Sequence, residues 1–185
     1  RVDSHPAAKI TSSPIVVGKQ VIVGVSSWEE ELAVSSSAAQ FGGSPTAPYP
    51  CCSFRGSVVS LDLVDGHVNW QTFTTPGANV PAGLLGPGEV GFFGAVVYGS
   101  SPSVDFKRGQ IYVDTGNNYV VPKKAEQCER NRIDPTGFPA PELPAGMTCE
   151  NLNDQIGNHF DSMLALDLRT GRIRWAFHAR AYDSW

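Results

Sequence analysis

The chain nearly repeats itself, and that constrains its fold more than anything else in the sequence. Residues 12–27 read SSPIVVGKQVIVGVSS and residues 100–118 read SSPSVDFKRGQIYVDTGNN. Residues 58–70 read VVSLDLVDGHVNW and residues 163–175 read MLALDLRTGRIRW. The pieces come in the same order in both copies, so only the insertions between them differ. A repeat of this kind is one supersecondary unit that buries its apolar face against its neighbour.

Each copy holds four strand candidates, at 10–17, 20–26, 56–63 and 67–74, then at 100–105, 109–115, 161–168 and 172–178. Val59, Leu61 and Leu63 alternate onto one face. Asp65-Gly66 and Thr170-Gly171 supply the positive φ of a tight hairpin turn. Trp70 and Trp175 follow at a fixed spacing, as a core residue repeated once per unit does. Four antiparallel strands, repeated, make a β-propeller blade. A β-sandwich also offers about eight short strands, but the ordered repeat favours blades. The expected fold is therefore all-β: a blade at 10–75 and a blade at 98–178, both part of one propeller domain spanning 1–185. Each should be a sheet whose strand order follows the sequence, with helix nearly absent. Two blades cannot close a ring that needs at least four, so the chain is expected to be part of a longer propeller.

Two insertions, 28–54 and 116–160, separate equivalent strands and leave the same edge. The second is proline-rich and shows neither a helical nor a strand period. Long loops of this kind are where function concentrates. Residues 76–88, in which Gly and Pro dominate, also read as loop.

Composition removes several classes. The formal net charge of −4, with no basic run, argues against a partner held by nucleic-acid phosphates. No apolar stretch approaches the ~18 residues of a membrane span. The four histidines do not cluster at metal-ligand spacing, and Gly116-Asn117-Asn118 lacks the strand-to-helix context of a phosphate loop. The chain begins at Arg1 without Met and ends at Trp185, so a processed or incomplete protein is expected. Four cysteines allow three pairings. A Cys128–Cys149 bond would staple the proline-rich loop, leaving the neighbours Cys51 and Cys52 linked to each other or free. Disulfides would imply an oxidising compartment, secreted or periplasmic.

The stretch CCSFRGSVVSLDLVDGHVNW resembles the pyrroloquinoline quinone (PQQ)-dependent alcohol dehydrogenases, most closely their polyvinyl-alcohol dehydrogenase-like branch. DSHPAAKITSSPIVVGKQVIVGVSSWEE, FFGAVVYGSSPSVD, IYVDTGNNY and NHFDSMLALDLRTGRIRW agree with it in order. The resemblance implies two blades of an eight-bladed quinoprotein propeller that holds PQQ and a calcium ion on its axis and oxidises alcohols by hydride transfer. The partners it implies are an alcohol substrate, an electron acceptor, and the remaining blades or a partner protein.

Site residues carry over one at a time. Glu29 aligns with the carboxylate ligand of calcium, with Glu30 or Glu31 able to substitute, and Asn117 aligns with the amide-oxygen ligand. Such oxygen donors suit a hard cation. Cys51 and Cys52 would set a flat sulfur surface against the quinone. Arg55 would pair with one of its carboxylates, and Thr11 and Ser26 would hydrogen-bond it. Tyr98 stands where relatives usually place the tryptophan that floors the quinone, and it stacks with less area. The catalytic aspartate of the family lies in an Asp-x-Trp-Asp pattern. Here the chain reads Asp183-Ser184-Trp185 and stops, which leaves Asp183 as a stand-in for the base. If activity is absent, the same blades read as a non-catalytic propeller, a binding or structural scaffold in an extracellular or organellar assembly.

Overall fold

The computed structural model describes residues 1–34, 49–99 and 101–179. The first sheet contains β1 (Ala8–Lys9), β2 (Ile15–Val17), β3 (Gln20–Ser27), β4 (Ser57–Asp62) and β5 (Val68–Phe73). Its order is β1-β3-β4-β5, with β2 sharing the β3 edge. After a short pair of β6 (Phe93–Gly94) with β9 (Asn118–Val120) comes the second sheet. It is built from β7 (Ser103–Asp105), β8 (Gln110–Asp114), β10 (Ser162–Asp167) and β11 (Ile173–His178), in sequence order and wholly antiparallel. The second sheet is the four-stranded blade that the repeat predicts; the first adds a fifth strand, β1, which pairs with β3 out of sequence order.

The hairpin turns show why the repeat recurs. Asp62 Oδ1 accepts from the backbone N–H groups of Val64 (2.8 Å) and Asp65 (3.4 Å). Asp167 Oδ1 accepts from those of Arg169 (3.1 Å) and Thr170 (2.9 Å). Gly66 (φ 74°) and Gly171 (φ 71°) then take the left-handed conformation that closes each turn. The aspartate of each Leu-Asp-Leu stretch is thus a turn-former, its carboxylate standing in for a backbone acceptor.

Strand alternation sends one set of side chains between the sheets and the other away from them. Val17, Ile22 and Val58 of the first sheet pack with Ile111, Val113, Leu164 and Leu166 of the second. Gly24 lets the segment carrying Val97 approach, since a Cβ there would lie 2.4 Å from Val97 Cγ1. Trp70 seats on the second sheet's turn. A Cβ on Gly171 would lie 2.4 Å from the indole, and Thr72 Oγ1 donates to the Gly171 carbonyl at 2.7 Å. The equivalent Trp175 packs beside Tyr112 (centroids 5.9 Å) on the outer face, where Met163 and Phe177 are also exposed.

The insertions carry the departures from expectation. Helix α1 (Glu29–Val34) follows β3, and the second insertion contains α2 (Lys123–Ile133) and α3 (Leu152–Ile156). This corrects the expectation of near-absent helix. A Cys128–Cys149 disulfide (Cα–Cα 5.1 Å) ties α2 to the turn before α3. Ala125, Cys128 and Leu152 pack with Leu84 and Phe92 into a core of their own. Among the described residues, no helix is long and apolar enough to cross a membrane.

Candidate functional site

Antiparallel pairing of β1 with β3 sets Lys9 opposite Ser26 and Ala8 opposite Ser27. Thr11 follows two residues on, so hydroxyls and one ammonium gather at the end of β3. The facing wall is the 95–99 segment, fixed where Val97 N–H donates to Val25 O (3.2 Å) and Gly116 N–H donates to Val96 O (2.9 Å). Between them runs a cleft lined by Lys9, Thr11, Ser26, Ser27, Glu30, Val96, Tyr98, Gly99 and Tyr119. The Lys9 ammonium lies over the Trp28 ring. Burial lowers its pKa, against the attraction of Glu31 and Glu30. Burial also pushes the Tyr119 hydroxyl well above the usual phenol range.

Tyr98 is half exposed and lies on the backbone of Gly116, where a Cβ would come within 2.6 Å of the ring. The Cε1/Oη edge of the ring is thus propped by backbone, which fixes the ring at the cleft wall. Gly116→Ala is expected to displace this ring and to weaken any planar ligand stacked there by about fivefold, the loss of a ring contact worth roughly 1 kcal/mol. Fluorescence titration checks this; unchanged affinity would show that the platform is not used.

Of the residues picked out by sequence, Thr11, Ser26 and Tyr98 come together in this cleft. Asn117 stands at its edge, its amide nitrogen 3.1 Å from Glu30 Oε1. Glu29 is elsewhere. It is fully buried, and its carboxylate accepts from Tyr49 Oη (2.9 Å), Ser53 N–H (3.0 and 3.1 Å) and Phe54 N–H (2.8 Å), with His5 Nε2 at 3.3 Å. The Tyr49 hydroxyl is pushed up to about 12 by burial and by this carboxylate. The backbone N–H groups of Ser53 and Phe54, just after Cys52, hold the carboxylate inside the first blade.

Cys51 and Cys52 are joined to each other, as one of the open pairings has it. Cys52 is buried among Val23, Val25, Phe54, Val96 and Tyr119, so the pair adjoins the cleft through Val96 and Tyr119. Arg55 is not among the lining residues. Its Nε donates to Thr75 O (2.9 Å) and its guanidinium covers the Phe73 ring at 4.0 Å, with burial lowering its pKa. Asp183 lies outside the described residues.

Sequence reasoning missed Lys9, Ser27 and Tyr119. Lys9 sits on a two-residue strand, too short for any alternation to reveal, and its register partner Ser26 was the available signal. The donor set fits a cofactor of the implied kind in part. Hydroxyls, a cation and a ring platform suit a planar anion, and Glu30 with Asn117 offers oxygen to a hard ion. Glu29 does not fit as a ligand, because its carboxylate is already taken by the protein.

Comparison with known proteins agrees with the fold and the motifs. No protein-family model matches the chain. It is 34% identical over 94% of its length to polyvinylalcohol dehydrogenase from a Pseudomonas species, of which it covers 20%. It is 27% identical over its full length to polyvinylalcohol dehydrogenase from Sphingopyxis sp. strain 113P3, covering 22% of that protein. The chain thus spans about a fifth of the curated relatives it matches. In fold it is similar to quinohemoprotein alcohol dehydrogenase from Pseudomonas putida HK5, with a TM-score of 0.56 over 100% of the chain and 22% of that protein at 19% identity.

Proposed function

Because the chain is related by sequence to a segment of the polyvinylalcohol dehydrogenases and shares its fold with a quinohemoprotein alcohol dehydrogenase, we propose that it forms two blades, 10–75 and 98–178, of an eight-bladed quinoprotein propeller. In this reading 1–185 belongs to one propeller domain, with the insertions 28–54 and 116–160 bordering the cofactor face. The whole protein oxidises alcohols and passes electrons to an acceptor. The observation that carries the reading is the convergence of Thr11, Ser26 and Tyr98 on a single cleft whose edge holds Glu30 and Asn117.

Bound together, PQQ and calcium would supply the two-electron acceptor and the Lewis acid that the polypeptide lacks. The chain's own residues bind and orient. Thr11 and Ser26 offer hydroxyl hydrogen bonds, Tyr98 offers an aromatic ring propped at its edge by Gly116, and Lys9 offers a positive charge to an anionic ring substituent. Asp183 is the candidate this chain brings to accept the alcohol proton. The disulfides Cys51–Cys52 and Cys128–Cys149 support an oxidising location, secreted or periplasmic.

The test is PQQ retention by the intact protein after gel filtration with calcium, followed by dye-linked alcohol oxidation. Tyr98→Ala should cut retention by about tenfold, the value of one lost aromatic stack. A protein that retains no PQQ under any metal condition would leave the propeller as a scaffold.

A further inference from the structure

Glu29 and Glu30 are neighbours on the first turn of α1, so they point roughly 100° apart around the helix axis. They consequently meet different surroundings. Glu29 points into the body of the first blade and receives the turn that follows Cys51–Cys52. Its Oε2 takes Phe54 N–H at 2.8 Å and Ser53 N–H at 3.1 Å, and its Oε1 takes Tyr49 Oη at 2.9 Å and Ser53 N–H at 3.0 Å. Ser53 N–H is shared between the two oxygens, and Ser53 Oγ (3.4 Å) and His5 Nε2 (3.3 Å) also approach Oε1, so both oxygens are engaged by the protein. A cation could reach Glu29 only by stripping two backbone N–H groups of their acceptor, one of them on the buried Phe54. Glu30 lines the cleft beside Thr11 and Ser26, with its Oε1 on the Asn117 amide nitrogen at 3.1 Å. That nitrogen also meets the Asn118 carbonyl at 3.1 Å, which leaves the Asn117 amide oxygen as its donor to a cation.

We propose that the two acids divide the work. Glu30, with Asn117, is the carboxylate that takes a divalent cation in the cleft. Glu29 is a positioning residue that clamps the Cys51–Cys52 turn, and Cys52 shares one buried apolar cluster with the cleft residues Val96 and Tyr119. The Glu30 half rests on the quinoprotein reading above; the Glu29 half stands on the hydrogen bonds alone.

The intact protein, freed of metal with a chelator, is titrated with calcium alone by calorimetry, and amide hydrogen exchange is followed across residues 49–56. Glu30→Gln should weaken calcium binding by about tenfold or more, since ligand charge sets affinity, while exchange at Ser53 and Phe54 stays as in wild type. Glu29→Gln should speed exchange at Ser53 and Phe54 by about tenfold, as a local opening does, with calcium affinity kept. If Glu29→Gln does not accumulate, Tyr49→Phe removes one donor, keeps the acid, and should leave calcium affinity unchanged. Loss of calcium binding in Glu29→Gln or Tyr49→Phe, with Glu30→Gln binding normally, overturns the division. A wild-type protein that takes up no calcium overturns the Glu30 assignment together with the cation part of the reading. Unaltered exchange at Ser53 and Phe54 in Glu29→Gln overturns the clamp alone.

Discussion

Gly56→Ala is expected to destabilise the protein by about 3–4 kcal/mol, in the range of severe overpacking, and to lower soluble yield. A Cβ at this position would lie 2.0 Å from the Ala95 carbonyl oxygen and 2.7 Å from Thr74 Oγ1. Neither neighbour can yield. Gly56 N–H donates to Gly94 O at 2.8 Å, and Thr74 N–H donates to Gly56 O at 2.9 Å. The Thr74 hydroxyl, fully buried, lies 2.6 Å from Ala95 O. Relief would require parting the first sheet from the segment that carries Val96 and Tyr98, so the cleft should open as the melting temperature falls. Urea denaturation of the intact protein measures this. A loss below about 1 kcal/mol, an ordinary surface effect, would mean that the approach at Gly56 is not tight.

The second large effect concerns the disulfide that staples the second insertion. Replacing both Cys128 and Cys149 by Ser should cost roughly 3 kcal/mol, the chain-entropy value for a loop of this length. The loss should be local, because α2 and α3 pack on Leu84 and Phe92 in a core separate from the one between the sheets. Limited proteolysis is expected to cut between α2 and α3 in the double variant while both sheets stay intact. Cleavage spread evenly over the chain would show that the insertion and the blades unfold together.

Much of the fold is written locally, which is why the sequence discloses it. The turn aspartates Asp62 and Asp167, the left-handed Gly66 and Gly171 and the alternation around them each act within a few residues. Near neighbours are what a sequence displays. Helix α2 was hidden for the opposite reason. Its buried residues are only Ala125, Cys128 and Glu129, too few for an apolar stripe, and the helix is held by a disulfide to a residue 21 positions away. The prolines that follow it dominate the composition of that stretch.

The site divides the same way. Thr11 and Ser26 fall within the successive strand candidates 10–17 and 20–26, so their meeting could be foreseen. The parting of Glu29 from Glu30 depends on α1, which the apolar pattern did not announce, and on donors from Tyr49 and Ser53 about 20 residues on. The contacts of Arg55 are also non-local. Its nearest acceptor is the Thr75 carbonyl on the chain that leaves β5, a pairing that no local pattern displays.

The contact between Trp70 and Gly171 is directional: one sheet supplies the indole and the next supplies the turn. Surfaces that join in this head-to-tail manner do not complete themselves by two-fold pairing. Repeated with a fixed rotation they either meet as a ring or continue as a filament. The second sheet presents Trp175, 44% exposed, at one end, and the first presents Gly66, with nothing within 4 Å of where a Cβ would stand, at the other. An isolated pair of such blades therefore carries both halves of an unsatisfied joint. Its tendency to associate with copies of itself would be set by the same geometry that determines how many blades an intact ring can hold.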